Sequence, residues 1–352
     1  MPRKGHRQPK HIAGNLEDPR ALGTLLRAYL SFLEMRNFAH GTIHKRRCHL
    51  NQFIQWSAER SLHHAVEITR PILERYQRQL YHQRDRQGNR LSFNNQHNRL
   101  CSLRAWFKWL ARQRHVLHNP ASELELPKLA HRLPKHVLNQ SEAEEILHGA
   151  DVREPFGLRD RAMLETLYST GMRRMELAGL QLPDLDAERG VLTIRQGKGK
   201  KDRVIPIGDR ALAWTIKYRE EVRPQLLVNE TETTLFLTRY GLPFSGSSLS
   251  ALVREYVDNA DLGKTGSCHL FRHTMATLML ENGCDVRYIQ SMLGHANLET
   301  TQIYTQVSIR KLKQVHDNTH PAKLNWKHPR PDDSTDSGDD AKPGDNSNPG
   351  DR

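Results

Sequence analysis

Six polar side chains stand at spacings that could do chemistry on an anion. Arg173 follows a glycine turn, and Lys198 sits between Gly197 and Gly199. His269 and Arg272 form an H-x-x-R step with His273 directly behind it. His295 ends the run Leu293-Gly294-His295, and Tyr304 lies in Thr301-Gln302-Ile303-Tyr304. Two guanidiniums can clamp the oxygens of a phosphate with paired hydrogen bonds. An amine or an imidazole can move a proton, and a phenol can become a nucleophile when cations surround it. Taken singly, each residue also has an ordinary reading: a surface arginine, a solvated turn lysine, core or capping histidines, a packed tyrosine. Their joint order along one chain is what points to a site. Gly197-Lys198-Gly199 is not a nucleotide-binding P-loop, because it lacks the GxxxxGK[ST] length and a following helix.

These residues need elements to hold them. Leu22, Leu25, Leu26, Tyr29, Leu30 and Leu33 recur at helical spacing, and a second helix follows from about Thr42 to Trp56. Thr69 is placed to cap a third helix with Pro71 in its first turn. A fourth runs from near Ser92 to near Arg114 on the core stripe Leu100, Leu103, Phe107 and Leu110. Lys45 and Arg46 break outward from the second helix. Arg104, Lys108 and Arg112 share one face of the fourth, suited either to solvent or to phosphates. Pro120, Pro127 and Pro134 punctuate a linker. The Ser141–Glu144 spacing reads as a capping box, and a helix over 158–169 stops at Gly171. Another helix starts at Arg173. Residues 191–195 and 203–207 flank the glycine- and lysine-rich segment 196–202 as a β-hairpin. Helices follow over 208–222, 247–260, 270–283 and 285–293.

Composition narrows the partner. The 352 residues carry a formal charge of +13, yet residues 331–352 are acidic, with seven Asp against Lys342 and Arg352. The first 330 residues therefore hold +18, an excess that fits nucleic acid. The tail has almost no apolar side chains and cannot fold alone. It suits an inert solubilising segment or an autoinhibitory DNA mimic. Cys48, Cys101, Cys268 and Cys284 form no CxxC pair, and the twenty histidines form no HExxH, so neither a metal nor a cofactor is expected. There is no run of 18 apolar residues for a membrane span and no h-region behind the basic N-terminus. A cytoplasmic, nucleoid-associated protein is expected.

The segments TGMRRMELAGL (170–180), GKGKKDRVIPIG (197–208), HLFRHTMATLML (269–280) and LGHANLETTQIYTQV (293–307) resemble the tyrosine recombinase, or phage integrase, family, and most of all its small Xer-type members. Residues 140–316 carry the motifs, while 20–114 resemble the family's helical core-binding domain in pattern. The resemblance implies a mainly α fold with a small β-sheet. A basic arm (1–19), a SAM-like helical core-binding domain (20–116), a linker (117–138), an α+β catalytic domain (139–320) and an acidic tail (321–352) would follow one another. The two domains would clamp DNA between them. The resemblance puts the active site on Arg173, Lys198, His269, Arg272, His295 and Tyr304.

The roles implied are those of a metal- and ATP-independent DNA strand transferase. Arg173 and Arg272 would bind the scissile phosphate. Tyr304, whose phenol has a pKa near 10 when unperturbed, would attack it. His269 would act as base or as donor to the phosphate, Lys198 would protonate the leaving 5′-oxygen, and His295 would donate to the phosphate and orient Tyr304. Glu176, one turn after Arg173, would hold that guanidinium; His273 would support Arg272 or His269, or simply fill the core. Lys45, Arg46, Arg104, Lys108, Arg112 and Lys200 are expected to touch DNA. The partners would be a double-stranded recombination site and three further protomers, identical or related, working through a Holliday junction. Residues 308–315 read as an amphipathic helix for a neighbouring protomer or for internal packing. With only about twenty residues before the first helix, no separate arm-binding domain is expected. Two other classes stay open on sequence: a type IB topoisomerase-like enzyme, and an inactive architectural DNA binder. The sequence does not give the DNA site, the accessory factors, or the choice between chromosome-dimer resolution and movement of an element.

Overall fold

The structure, a computed structural model, describes residues 12–85, 87–129, 136–195, 202–294 and Thr301. Two compact units divide the chain, Met1–His131 and Arg132–Arg352.

The first unit is helical: α1 (Leu22–Met35), α2 (His40–Ala58), α3 (Arg70–His82) and α4 (Phe93–Arg112). Its core is the set of apolar stripes the periodicity marks, with Leu26, Phe53, Leu73, Trp106 and Phe107 wholly buried. Each such large side chain contributes about 1.5–3 kcal/mol on leaving water. Phe53 is the hub, meeting Tyr76 edge-on at 5.0 Å between centroids and Phe107 at 6.2 Å. Ser92 caps α4 by accepting from the Asn95 amide, whereas Thr69 stands at the N-cap of α3 without a side-chain cap bond. Val116, Ala121 and Leu124 also pack into this core.

The second unit is built around α6 (Pro155–Thr170), which follows α5 (Gln140–His148). The N-cap of α5 is Asn139, boxed with Glu142, two residues earlier than the Ser141–Glu144 reading; Asn139 Oδ1 accepts from both the Glu142 amide and the Ser141 hydroxyl. Residues Leu158, Ala162, Met163, Leu164 and Leu167 of α6 are buried on several faces, as befits a central helix. Its charged residues are buried too, and each has a partner. Arg159 pairs with Asp160 at 2.7 Å, and Glu165 pairs with both Arg161 and Arg210 at 2.9 Å. Removing one partner of such a pair costs about 3–5 kcal/mol.

After α6 come α7 (Arg174–Ala178) and a three-stranded antiparallel sheet in the order β1 (Leu185–Asp186), β2 (Val191–Ile194), β3 (Arg203–Pro206). Ile194 faces Arg203 across the β2–β3 pair. Then follow α8 (Asp209–Lys217), continuing through a π-turn at Tyr218–Val222 into α9 (Arg223–Leu226), and α10 (Gly246–Asn259), α11 (Cys268–Glu281) and α12 (Val286–Leu293). Among the described residues, no helix is long and apolar enough to cross a membrane.

Candidate active site

Two helix ends set the site. α6 stops at Gly171 and α12 stops at Gly294, each glycine in the left-handed conformation with φ of 58° and 60°. A helix end leaves carbonyls without intrahelical donors and carries partial negative charge, so guanidiniums are drawn to it. Arg272, buried on α11, donates from Nη1 to Gly171 O at 2.7 Å and from Nη2 to Leu293 O at 2.8 Å. Arg173, at the N-cap of α7, donates from Nη2 to Gly294 O at 3.1 Å. The two arginines that lie 99 positions apart in sequence are thus fixed to adjacent carbonyls of one helix end.

Glu176 completes the hold on Arg173. Its Oε2 accepts from the Arg173 backbone amide and its Oε1 from Arg173 Nη1, both at 2.9 Å. Burial pushes this carboxyl up, but the hydrogen bond from Arg203, the Arg173 amide and the adjacent guanidinium charges outweigh it, so it stays below the usual carboxylate range. Arg203 was not singled out in the sequence. It donates to both Glu176 oxygens, at 3.0 and 2.7 Å, and from Nε to Met292 O at 3.0 Å. Alternation on β3 puts Arg203 on the side of buried Ile205, away from exposed Val204, but both neighbours are apolar, so the sequence alone does not mark which side is inside.

His269 lies one turn before Arg272 on α11. Burial lowers its pKa, and the charges of Arg272, Arg174 and Arg173 lower it further, which keeps the imidazole neutral at physiological pH. His273 is half-buried, with its ring 6.5 Å from that of His269. Burial, His269 and Arg272 together push it down to about 4. Both rings line an open hollow of about 500 Å³ with His136, Arg254 and Ser267.

Of the residues the sequence singled out, Arg173, Glu176, His269, Arg272 and His273 are therefore gathered in one place. Lys198, Lys200, His295 and Tyr304 lie outside the described residues. In the first unit, Lys45 and Arg46 line a groove of about 510 Å³ between α2 and α4 with His49, Asn94, Asn98 and Cys101. Arg46 is anchored there, donating to Tyr29 Oη at 2.6 Å. Arg104, Lys108 and Arg112 are exposed on α4. Asn94 and Asn98 were not singled out, although they precede Cys101 and Lys108 on one helical stripe.

The site is thus a frame of guanidiniums on helix-end carbonyls, with a histidine of lowered pKa beside it, on a mostly helical scaffold. Residues 136–310 match the phage integrase family. The chain is 50% identical to tyrosine recombinase XerC 2 of Ralstonia nicotianae over 312 residues, covering 89% of this chain and 90% of that protein. It is 35% identical to tyrosine recombinase XerD of Halalkalibacterium halodurans over 298 residues, covering 84% and 97%. Among solved structures, XerH bound to palindromic difH substrate in a post-cleavage complex shares the fold, with a TM-score of 0.63 at 23% identity over 83% of each chain. A lambda integrase (75–356) dimer bound to a COC′ core site shares it as well, at 0.59 and 18% identity over 80% of this chain and 97% of that one. The chain belongs to the tyrosine recombinase (phage integrase) family and is of its Xer-like kind. It is a site-specific recombinase, an enzyme that cuts and rejoins DNA strands.

Proposed function

We propose that this recombinase acts through a 3′-phosphotyrosyl intermediate centred on Tyr304. The Tyr304 oxygen attacks phosphorus, the bond to the 5′-oxygen breaks, and the phosphate stays on the enzyme while the 5′-oxygen takes a proton from Lys198. The phenol proton passes to His269. A hydroxyl from a second strand reverses the step, so the energy of the broken bond is kept in the ester.

The observation that carries this reading is the fixed pair Arg173 and Arg272. Arg173 and Arg272 are both held by carbonyls at the end of α12, and Arg272 also by the end of α6, so both guanidiniums are in place before the phosphate arrives. Donors placed before the charge develops need no reorganisation at the moment of reaction. The lowered pKa of His269 supports its role as base, since only a neutral imidazole accepts a proton. His295, directly after Gly294, would donate to the same phosphate.

Double-stranded DNA is the substrate in this reading. The basic first unit contributes groove contacts through Lys45, Arg46, Arg104, Lys108 and Arg112, and Lys200 contacts the backbone. Four protomers exchange strands by way of a Holliday junction, in the cytoplasm where the chromosome lies. A nicked duplex carrying the site, selected from random sequence by binding, tests the chemistry. Wild type should trap a covalent 3′ adduct and Tyr304→Phe should not; an adduct surviving in Tyr304→Phe removes the assignment. Strand exchange between two labelled duplexes then separates recombination from simple relaxation.

A further inference from the structure

Arg203 lies in the segment 197–208 that supplies Lys198, but the chemistry has given it no part so far. It opens β3, five residues after Lys198, and its side chain is largely buried. Each part of its guanidinium is engaged. Nη1 and Nη2 meet the two oxygens of Glu176, and Nε meets Met292 O. Glu176 in turn holds Arg173 twice, and Arg173 reaches Gly294 O. The result is a closed circuit through three elements: β3, the start of α7 and the end of α12. Each of these elements adjoins, in sequence, a residue of the proposed machinery: Lys198, Arg173 and His295.

Charge explains why a second arginine is needed. A carboxylate paired with Arg173 alone would cancel the charge that a phosphate must feel. One carboxylate between two guanidiniums leaves a net charge of +1. With Arg203 in place, Glu176 can hold Arg173 still without silencing it. A lysine could restore the charge but not the fork that fits both carboxylate oxygens while a third donor reaches a carbonyl.

We propose that Arg203 is a positioning residue for strand cleavage. It offsets the charge of Glu176 so that Arg173 stays available to the phosphate, and it ties the strand after Lys198 to the helix end before His295. This inference rests on the strand-transfer reading above.

The test is single-turnover cleavage of the nicked duplex at saturating protein, with DNA affinity and thermal unfolding measured on the same full-length variants. Arg203→Met should slow cleavage by about 100-fold, the scale of a small misplacement in a site of this kind. Its affinity for DNA should change little. Arg203→Lys should lose less. The decisive variant adds Glu176→Gln. Because the task of Arg203 is to offset that carboxylate, the Glu176→Gln/Arg203→Met pair should cleave faster than Arg203→Met alone. A residue that merely holds the fold would give the opposite, a double variant worse than either single. If Arg203→Met folds too poorly to assay, the same comparison is made in Arg203→Lys. Cleavage at the wild-type rate in Arg203→Met, or a double variant slower than its Arg203 parent, overturns the proposal while wild-type cleavage leaves the function standing. A wild type that forms no adduct would instead overturn the functional reading itself.

Discussion

The guanidinium frame of the second unit and the α2–α4 groove of the first are both basic and polar, but they are built in opposite ways. In the frame, Arg173, Arg203 and Arg272 each meet main-chain carbonyls or Glu176, and little about them can move. In the groove, Lys45, Asn94 and Asn98 are exposed, and the fixed members, Arg46 on Tyr29 and His49 beside Ser102 at 2.9 Å, lie deeper. Ordering an exposed, flexible side chain on binding costs about 0.5–1.5 kcal/mol. A reading surface tolerates that cost because base edges and phosphates must be fitted one by one. A reacting phosphate does not, because its transition state must meet donors already in place. On the proposed function, the contrast teaches that rigidity, more than charge, would separate the chemical site from the recognition site.

The sharpest way to break that contrast is Arg272→Ala. It should cut single-turnover cleavage by about 10³-fold or more. It should also leave two buried carbonyls unpaired, at about 1–3 kcal/mol each, visible as a lower urea midpoint. DNA affinity should fall far less than the rate. An equal loss of affinity and rate would mean that Arg272 serves binding alone.

Acid should expose the frame next. His273 has a folded pKa near 4 against 6.5 when unperturbed, so the unfolded chain binds the proton more readily. Its contribution is therefore complete above about pH 6.5 and lost as pH falls toward 4, worth about 3 kcal/mol over the whole window. Urea midpoints across this range should drop steeply in wild type and less in His273→Gln. Parallel curves would show that another group governs the acid limb.

Gly294→Ala comes third. The residue is left-handed, and an added Cβ would stand 3.0 Å from Arg203 Nε. Backbone strain alone costs about 1–2 kcal/mol, so the unfolding midpoint should fall. Cleavage should fall with it, through displacement of Arg203; an unaltered rate at saturating DNA would show that the helix end can give without disturbing the arginines.

The groove should respond most gently. Lys45→Ala should weaken binding about evenly across DNA sequences and reduce the slope of log affinity against log salt by about one. Saturated cleavage should be unchanged. Asn98→Ala should instead weaken discrimination against particular base pairs, since asparagine amides pair with adenine edges. If Asn98→Ala behaves like Lys45→Ala, the groove contacts the backbone only.

Much of this was legible beforehand because periodicity reports burial. The helices around Leu26, Phe53 and Phe107 fall where their apolar spacing puts them, and Gly171 ends α6 because only glycine sits easily at φ of 58°. The hairpin strands were legible from VLTIR and RVIPI, whereas β1 is two residues long, too short to show alternation. The α5 cap was misplaced because Asn139 and Ser141 can both cap, and three-dimensional context chose Asn139. The motifs single out Arg173, His269 and Arg272, but nothing local in the sequence says that the two arginines are held by carbonyls of distant helix ends. Arg203 escaped for the same reason: its partners, Glu176 and Met292, lie 27 and 89 residues away.

The helix-end carbonyls carry one more consequence, for inheritance. Met292, Leu293 and Gly294 hold Arg203, Arg272 and Arg173 through main-chain oxygen, which no codon change can delete. Tyr288, exposed on α12, and its surface neighbours are thus open to drift without rewriting the arginine frame. Two codons are more constrained, Gly171 and Gly294, whose left-handed conformation costs most other residues about 1–2 kcal/mol. A lineage could remodel the outside of this helix and still transmit the same arginine frame, provided those two turns keep their left-handed shape.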